Sequence, residues 1–545
     1  MRGIPVSPGY AAAPVLLLKP RQTVIREETI PEDAVEQEWN KFVKALTETK
    51  ADLVRAKEEA ARKLGGDESA IFESHIMILE DPVISEEIRA EIHEGRKNAV
   101  WAIHAVFARH ADVLAALEDE YLRERARDFR DIGEKMCNHA EGADASPLQS
   151  PAEAVIVVAR DLTPTQTMQL DSEMVKGIVT EIGGPTSHSA ILAKRLRIPA
   201  VAGCGGILDT VSPGQVIAID GCTGELLLHP SQEQQAEFMK KQDEFLNRQR
   251  FLIRTAGEPA VTTDGKRIEV AANIGSPDEV KDVLDNGGDA IGLFRSEFLF
   301  LERDGLPSEE EQFAAYARVA REMGHRPVIV RTLDIGGDKP LRYLQMDDES
   351  NPFLGCRGVR LCLREQDLFM AQLRAILRAS HYGKLRIMFP MIATESELLQ
   401  ALALLGKAKN ELRRQNIPFD ENMEVGIMIE VPSAALISDK LASHVDFFSI
   451  GSNDLIQYTF AADRMNPNVG YLYDPEHPAL LRLIELVVKN AHKQGKWVGV
   501  CGEMAGDPGC AKTLIGLGVD ELSMTPTLIP LMKNEIRFMS SGDQG

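Results

Sequence analysis

From about Thr262 onwards, the 545-residue chain alternates short β-rich apolar runs with helical stretches. The predicted strands are 268–274, 290–295, 327–332, 355–361, 385–390, 425–430, 446–450 and 497–501. Strands separated by helical patterns indicate parallel βα units, because a parallel neighbour needs a crossover long enough to return the chain. Eight such units over residues 259–545 predict a TIM-like (β/α)8 barrel, in preference to an open sheet.

Barrel enzymes keep their chemistry at the carboxyl ends of the strands. Those ends read Asn273, Arg295, Arg331, Arg357, Glu430, Asn453 with Asp454, and Cys501, and Arg464 follows in the loop after Asp454. A lone arginine carries no information, but three at corresponding strand ends converge and repel one another. That predicts a polyanionic ligand bearing phosphate and carboxylate, which guanidinium forks grip bidentately. Glu430 and Asp454 supply two carboxylates. Each would be satisfied by an arginine alone, but the pair with substrate oxygens also suits magnesium, which favours phosphoryl transfer. Cys501 reads as either a nucleophile or a proton donor, whereas Cys204, Cys222 and Cys362 read as packing.

The amino-terminal half is organised differently. Trp39, Phe42 and Leu46 open a helical block at 21–145, with 29 acidic against 18 basic side chains. Short β-rich runs at 154–158, 177–180, 200–202 and 216–220 read as an α/β domain. The first residues complete it, giving a domain of 1–20 plus 146–230 with the helical block inserted. Residues 231–258 read as a linker helix, where Phe238, Phe245 and Leu252, and likewise Met239, Leu246 and Ile253, repeat every seven residues.

Within the α/β domain runs Gly183-Gly184-Pro185-Thr186-Ser187-His188-Ser189-Ala190-Ile191-Leu192-Ala193-Lys194. The glycines allow a tight turn, Thr186 or Ser187 can cap the following helix, and His188 falls in its first turn. Free N–H groups and the helix dipole favour an anion there, which suits a histidine carrying a phosphoryl group. Simple packing or capping by His188 is the plainer alternative.

A formal net charge of −22 argues against nucleic acid and anionic membranes as partners and steers basic proteins towards the chain. Seven cysteines without a C-x-x-C spacing point to a reduced, cytoplasmic protein with no zinc site. The amino terminus does not read as a signal peptide, and no apolar run reaches membrane-spanning length.

The motifs FESHIMILEDP at 72–82, DLTPTQT at 161–167, GGPTSHSAILA at 183–193, NIG at 273–275 and RSEFLF at 295–300 are specific in combination. So are VRTLDIGGDKP at 330–340, NPFLGCRG at 351–358, LRAILRAS at 373–380, MFPMI at 388–392, FFSIGSNDLIQYT at 447–459 and CGEMAGD at 501–507. In this order they resemble enzyme I of the bacterial sugar phosphotransferase system, the phosphoenolpyruvate–protein phosphotransferases, over essentially the whole chain.

The resemblance implies a phosphohistidine α/β domain with a helical insertion, followed by a barrel that binds phosphoenolpyruvate. It implies that His188 accepts the phosphoryl group, Thr167 orients its ring, and Arg295, Arg331, Asn453 and Arg464 bind substrate with Arg357 nearby. Glu430 and Asp454 match magnesium ligands, and Cys501 matches the residue that protonates the pyruvate enolate. The acceptor implied is the phosphocarrier protein HPr, docking around Phe72, His75, Met77 and Leu79, and the barrel is implied to form a homodimer.

One imidazole serving both the barrel and HPr demands a large domain movement, articulated at 231–256. Pro185 stands where the family often has arginine, and Ser452 where threonine is usual. The chain stops at Gly545, before the family's usual helical tail, and that early end leaves dimer strength and barrel completeness open. Pyruvate phosphate dikinase or phosphoenolpyruvate synthase would need a nucleotide-binding domain, and the nitrogen-branch paralogue an extra amino-terminal sensory domain. A non-catalytic phosphoenolpyruvate sensor would not need His188 and Cys501 together.

Overall fold

The computed structural model describes residues 1–18, 25–63, 66–116, 120–142, 153–162, 166, 170, 171, 173–184, 187–301, 303, 305–336, 341, 343, 344, 349–464, 466 and 468–542. Two compact units divide the chain, Met1–Arg248 and Gln249–Gly545.

The first unit contains a seven-stranded sheet. Its strands are β1 (Ile4–Ser7), β2 (Tyr10–Leu18), β3 (Val155–Ala159), β4 (Val175–Thr180), β5 (Ala200–Ala202), β6 (Val216–Asp220) and β7 (Glu225–Leu227), in the order β1-β5-β4-β3-β2-β6-β7. β2 and β3 are parallel neighbours, with Val15 opposite Ile156. The chain therefore leaves the sheet at Leu18 and re-enters beside itself at Val155.

Between them lie five helices: α1 (Val35–Lys63), α2 (Gly66–Leu79), α3 (Pro82–His93), α4 (Ala99–Ala115) and α5 (Glu120–Ala140). They share a core of their own. On α3 the buried stripe is Ile84, Ile88 and Ile92, spaced one turn apart. Asp81 caps α3 by accepting from the Val83 N–H at 2.8 Å, and Pro82 fills the first helical position, where no N–H is needed.

A helix spans Gln232–Thr255. Of its two heptad stripes, Phe238 and Phe245 pack edge-on against Tyr10, at 6.3 and 6.0 Å between ring centroids. Met239, Leu246 and Ile253 face solvent.

The second unit is a closed barrel of eight parallel strands: β9 (Arg267–Ile274), β10 (Ala290–Arg295), β11 (Val328–Arg331), β12 (Leu385–Phe389), β13 (Val425–Ile429), β14 (Phe447–Ile450), β15 (Trp497–Val500) and β16 (Glu521–Met524). β16 pairs with β9 to close the ring, and β8 (Ala260–Val261) lies antiparallel outside β9. Seven of the expected strands are present. Residues 355–361 are not a strand but a turn running into the helix Val359–Arg364, because Gly358 adopts φ 62° where an extended residue is required. The missing eighth strand is Glu521–Met524.

Helices wrap the ring in one large apolar shell. A smaller cluster of Leu293, Ile329, Met388, Met428, Phe447 and Cys501 fills the barrel interior. At the amino-terminal end of the strands Trp497 stacks on Phe447 with centroids 4.6 Å apart, and the Arg386 guanidinium sits 4.8 Å from the Trp497 ring. Beside them Glu521 is buried next to the Glu269 carboxyl. Burial and the neighbouring Glu269 carboxyl push the Glu521 carboxyl well above its ordinary range, against the pull of Arg386. No helix among the described residues is long and apolar enough to cross a membrane.

Candidate active site

The carboxyl ends of the strands bring together most of the expected barrel residues. Arg295 and Arg331 are the last residues of β10 and β11, Glu430 and Cys501 follow β13 and β15, and Asn453 and Asp454 open the helix Ser452–Phe460 after β14. Arg357 arrives from the turn after β11, not from a strand end. Its guanidinium donates to Asp334 Oδ1 and Oδ2, both at 3.0 Å. It also donates to Asp454 Oδ1 and Oδ2 at 3.1 and 3.2 Å, a double fork between two carboxylates.

Arg331 donates to Glu297 Oε1 at 2.9 Å and lies 3.2 Å from Asp334 Oδ2. Burial works against the charge of both arginines, and the surrounding carboxylates more than offset it. The expected repulsion among three converging arginines is thus relieved within the protein at two of them. Asp334 and Glu297, which do this, were not among the expected site residues. Arg295 and Arg464 make no ion pair among the described residues and remain the cations open to an anionic ligand.

Glu430 is fully buried. Its Oε1 accepts from the Met391 N–H at 2.6 Å, while Oε2 has no partner. Burial, with the carboxylates of Asp334 and Asp454 nearby, raises its pKa, and Arg357 and Arg331 oppose the rise. The pair Glu430 and Asp454 offers hard oxygen donors, one of them an orphaned buried atom that a cation would satisfy. Among the described residues no group of three His, Cys, Asp or Glu side chains is arranged to hold a metal unaided.

Cys501 is buried, and burial pushes its thiol up to about 11, while Ser449 and Arg331 pull it down. The thiol is therefore protonated at neutral pH. Burial thus disfavours the thiolate, which is the nucleophilic form, and favours a thiol that can donate a proton. Cys501 borders a cavity of about 460 Å³ also lined by Asn273, Arg295, Asn453, Glu503 and Thr525. Asn453 and Glu503 brace each other across this wall, the Glu503 N–H donating to Asn453 Oδ1 at 3.0 Å.

In the first unit His188 is the first residue of the helix His188–Arg195. Ser187 caps it, accepting from the Ala190 N–H at 3.3 Å and donating to the Gly184 carbonyl at 2.9 Å. Gly183 turns the chain with φ 106°. Ser189 Oγ donates to Asp161 at 3.3 Å, and Leu192 packs into the helical core. Facing Asp161 from α5, the Asp131 carboxyl is pushed up to about 7, first by burial and then by Asp128, Glu134 and Asp161, with His75 opposing. The His188 side chain, Thr167, Pro185 and Thr186 lie outside the described residues.

The four residues expected at the docking surface differ in exposure. Phe72, His75 and Leu79 are buried in the helical core, and only Met77, 69% exposed, is available to a partner. Phe72, His75 and Leu79 recur at the three- and four-residue spacing of an inward-facing stripe.

A closed parallel barrel with guanidinium, carboxylate and protonated thiol groups at its carboxyl end is the architecture of an α/β-barrel enzyme. The chain belongs to the PEP-utilising enzymes. The family's PEP-binding domain matches residues 252–541, its N-terminal domain 2–125 and its mobile domain 151–224. The phosphoenolpyruvate-protein phosphotransferase of Priestia megaterium is 46% identical over 100% of this chain and 94% of its own length. That of Bacillus subtilis is 46% identical over 99% and 94%, and that of Staphylococcus aureus 43% over 100% and 95%. A solution structure of an Enzyme I protein covers 45% of this chain and 99% of its own, with 36% identity and a TM-score of 0.41.

Proposed function

We propose that the chain is a phosphoenolpyruvate–protein phosphotransferase. It moves the phosphoryl group of phosphoenolpyruvate to its own His188 and then to a histidine of HPr, the first step of bacterial sugar uptake. The observation that carries this reading is Cys501, a buried thiol kept protonated beside a cavity walled by Arg295 and Asn453. A site for enolate protonation needs such a donor next to the groups that hold the anion. Full-length likeness to the Priestia and Bacillus transferases supports it.

Arg295, Arg331, Asn453 and Arg464 bind the phosphate and carboxylate, and Arg357 orients Asp454. Glu430 and Asp454 would hold magnesium. When bound, the ion supplies positive charge to the phosphoryl oxygens as negative charge develops. Thr167 orients the His188 ring. A ring nitrogen of His188 attacks phosphorus in line, the N–P bond forming as the bond from phosphorus to the enol oxygen breaks. The enolate's C2=C3 electron pair then takes the proton from Cys501 Sγ, forming a C–H bond and pyruvate. Water reprotonates the thiolate.

HPr takes the phosphoryl group after docking on the acidic helical block near Met77. The chain works in the cytoplasm, as a homodimer through the barrel.

Incubation with labelled phosphoenolpyruvate and magnesium, with and without HPr, tests the reading. Acid-labile label is expected on the wild type, transferable to HPr, and none on His188→Ala. Label persisting on His188→Ala refutes the assignment, and a requirement for ATP points to a dikinase instead.

A further inference from the structure

Cys501 lies one residue beyond the last backbone pair of its strand. The β15–β16 ladder registers Gly499 with Glu521 and Val500 with Leu522, and stops there. On its other side the Cys501 N–H still donates to the Ile450 carbonyl of β14, at 3.1 Å. Its carbonyl has no ladder partner on the β16 side. A side chain from two strands away fills that place: Asn273 Nδ2, on β9, donates to the Cys501 carbonyl at 2.9 Å and to the Ser523 carbonyl at 3.2 Å. The amide is itself fixed, because Asn273 Oδ1 accepts from Ser523 Oγ at 2.6 Å.

We infer that Asn273 is a positioning residue for Cys501, clamping the backbone beyond β15 so that the thiol meets the enolate carbon. The inference rests on the reading of Cys501 as the proton donor. Asn273 borders the cavity, yet both its amide hydrogens and its carbonyl oxygen are engaged by protein. It therefore acts through Cys501 and not as a contact to substrate. Proton transfer tolerates little misplacement, and an error of about 1 Å costs on the order of a hundredfold in rate.

The test uses the full chain with HPr as acceptor. Steady-state kinetics are measured for wild type, Asn273→Ala, Asn273→Asp, Cys501→Ala and the double variant Asn273→Ala/Cys501→Ala. Asn273→Asp keeps the size of the side chain and the acceptor for Ser523 Oγ, and replaces the donor to the Cys501 and Ser523 carbonyls with a carboxylate oxygen. Both Asn273 variants are expected to lose about 10- to 100-fold in kcat with KM for phosphoenolpyruvate held within about twofold. The double variant is expected to be no slower than Cys501→Ala, because the two residues act as one unit.

A substrate analogue with a methyl group on C3, turned over in D2O, adds a second readout. Wild type should give one configuration at the deuterated carbon, and the Asn273 variants a mixture. Wild-type kcat in both Asn273 variants overturns the inference. So does a raised KM with unchanged kcat, or losses that multiply in the double variant. If Cys501→Ala itself turns over at the wild-type rate, the reading of Cys501 fails first. Slow Cys501→Ala beside unimpaired Asn273 variants sinks the positioning role alone.

Discussion

Arg357 donates to both oxygens of Asp334 and both oxygens of Asp454, so one planar guanidinium fixes the spacing of two carboxylates. A lysine would keep the charge but has no fork to match two carboxylates at once. Arg357→Lys is therefore expected to lower kcat/KM for phosphoenolpyruvate about 100-fold, an effect of about 2.7 kcal/mol, read from steady-state rates with HPr saturating. Arg295 and Arg331 were legible in place because each ends a β-rich run, whereas Arg357 was assigned to a strand that is a turn and helix. Asp334 and Glu297 were not legible, although a signal existed: Arg295-Ser296-Glu297 and Arg331-Thr332-Leu333-Asp334 each place an acid two or three residues past a strand-end arginine. Met77 shows the same lesson on a helix. Phe72, His75 and Leu79 share a buried face of α2, and Met77 falls out of phase with them.

Among the elements, β16 escaped the sequence reading because Glu521-Leu522-Ser523-Met524 is short and alternates polar with apolar residues. In most barrels the inward positions are apolar, whereas here Glu521 points into the interior, where a Cβ on Gly292 would come within 2.6 Å of its Oε1. Residues 355–361 misled in the opposite sense, since Gly358 at φ 62° breaks an otherwise β-like run.

The buried Glu521 makes the barrel sensitive to pH. Its folded pKa is raised to about 8 from 4.5, so the folded state keeps a proton that the unfolded chain releases. The stabilisation is complete below about 4.5 and is lost as pH rises to about 8. Calorimetry across that window should show the barrel transition weakening as pH rises, with Glu521→Gln reducing the slope by roughly 1.4 kcal/mol per pH unit while Glu430 still contributes. An identical slope in the variant would refute the assignment.

At the level of the whole molecule, the order of parts was legible because composition shifts where the parts change. Acidic helical text gives way to short β-rich runs, and then to βα alternation. The parallel pairing of β2 with β3 gives the physical reason the helical block must be an excursion from one sheet. That block carries 29 acidic against 18 basic side chains between residues 21 and 145. Transfer from phosphorylated His188 to HPr should therefore slow about tenfold between roughly 50 and 500 mM salt, through a falling association rate, in stopped-flow measurements. A rate independent of salt would remove electrostatic steering from the account.

The stacked indole at the base of the barrel has a practical use. Of the chain's three tryptophans, Trp39 and Trp101 belong to the helical block, and Trp497 alone belongs to the second unit. Replacing the first two with phenylalanine leaves a protein whose tryptophan fluorescence, excited beyond the tyrosine band, comes from the barrel only. Its melting can then be watched optically while the other half of the chain stays dark.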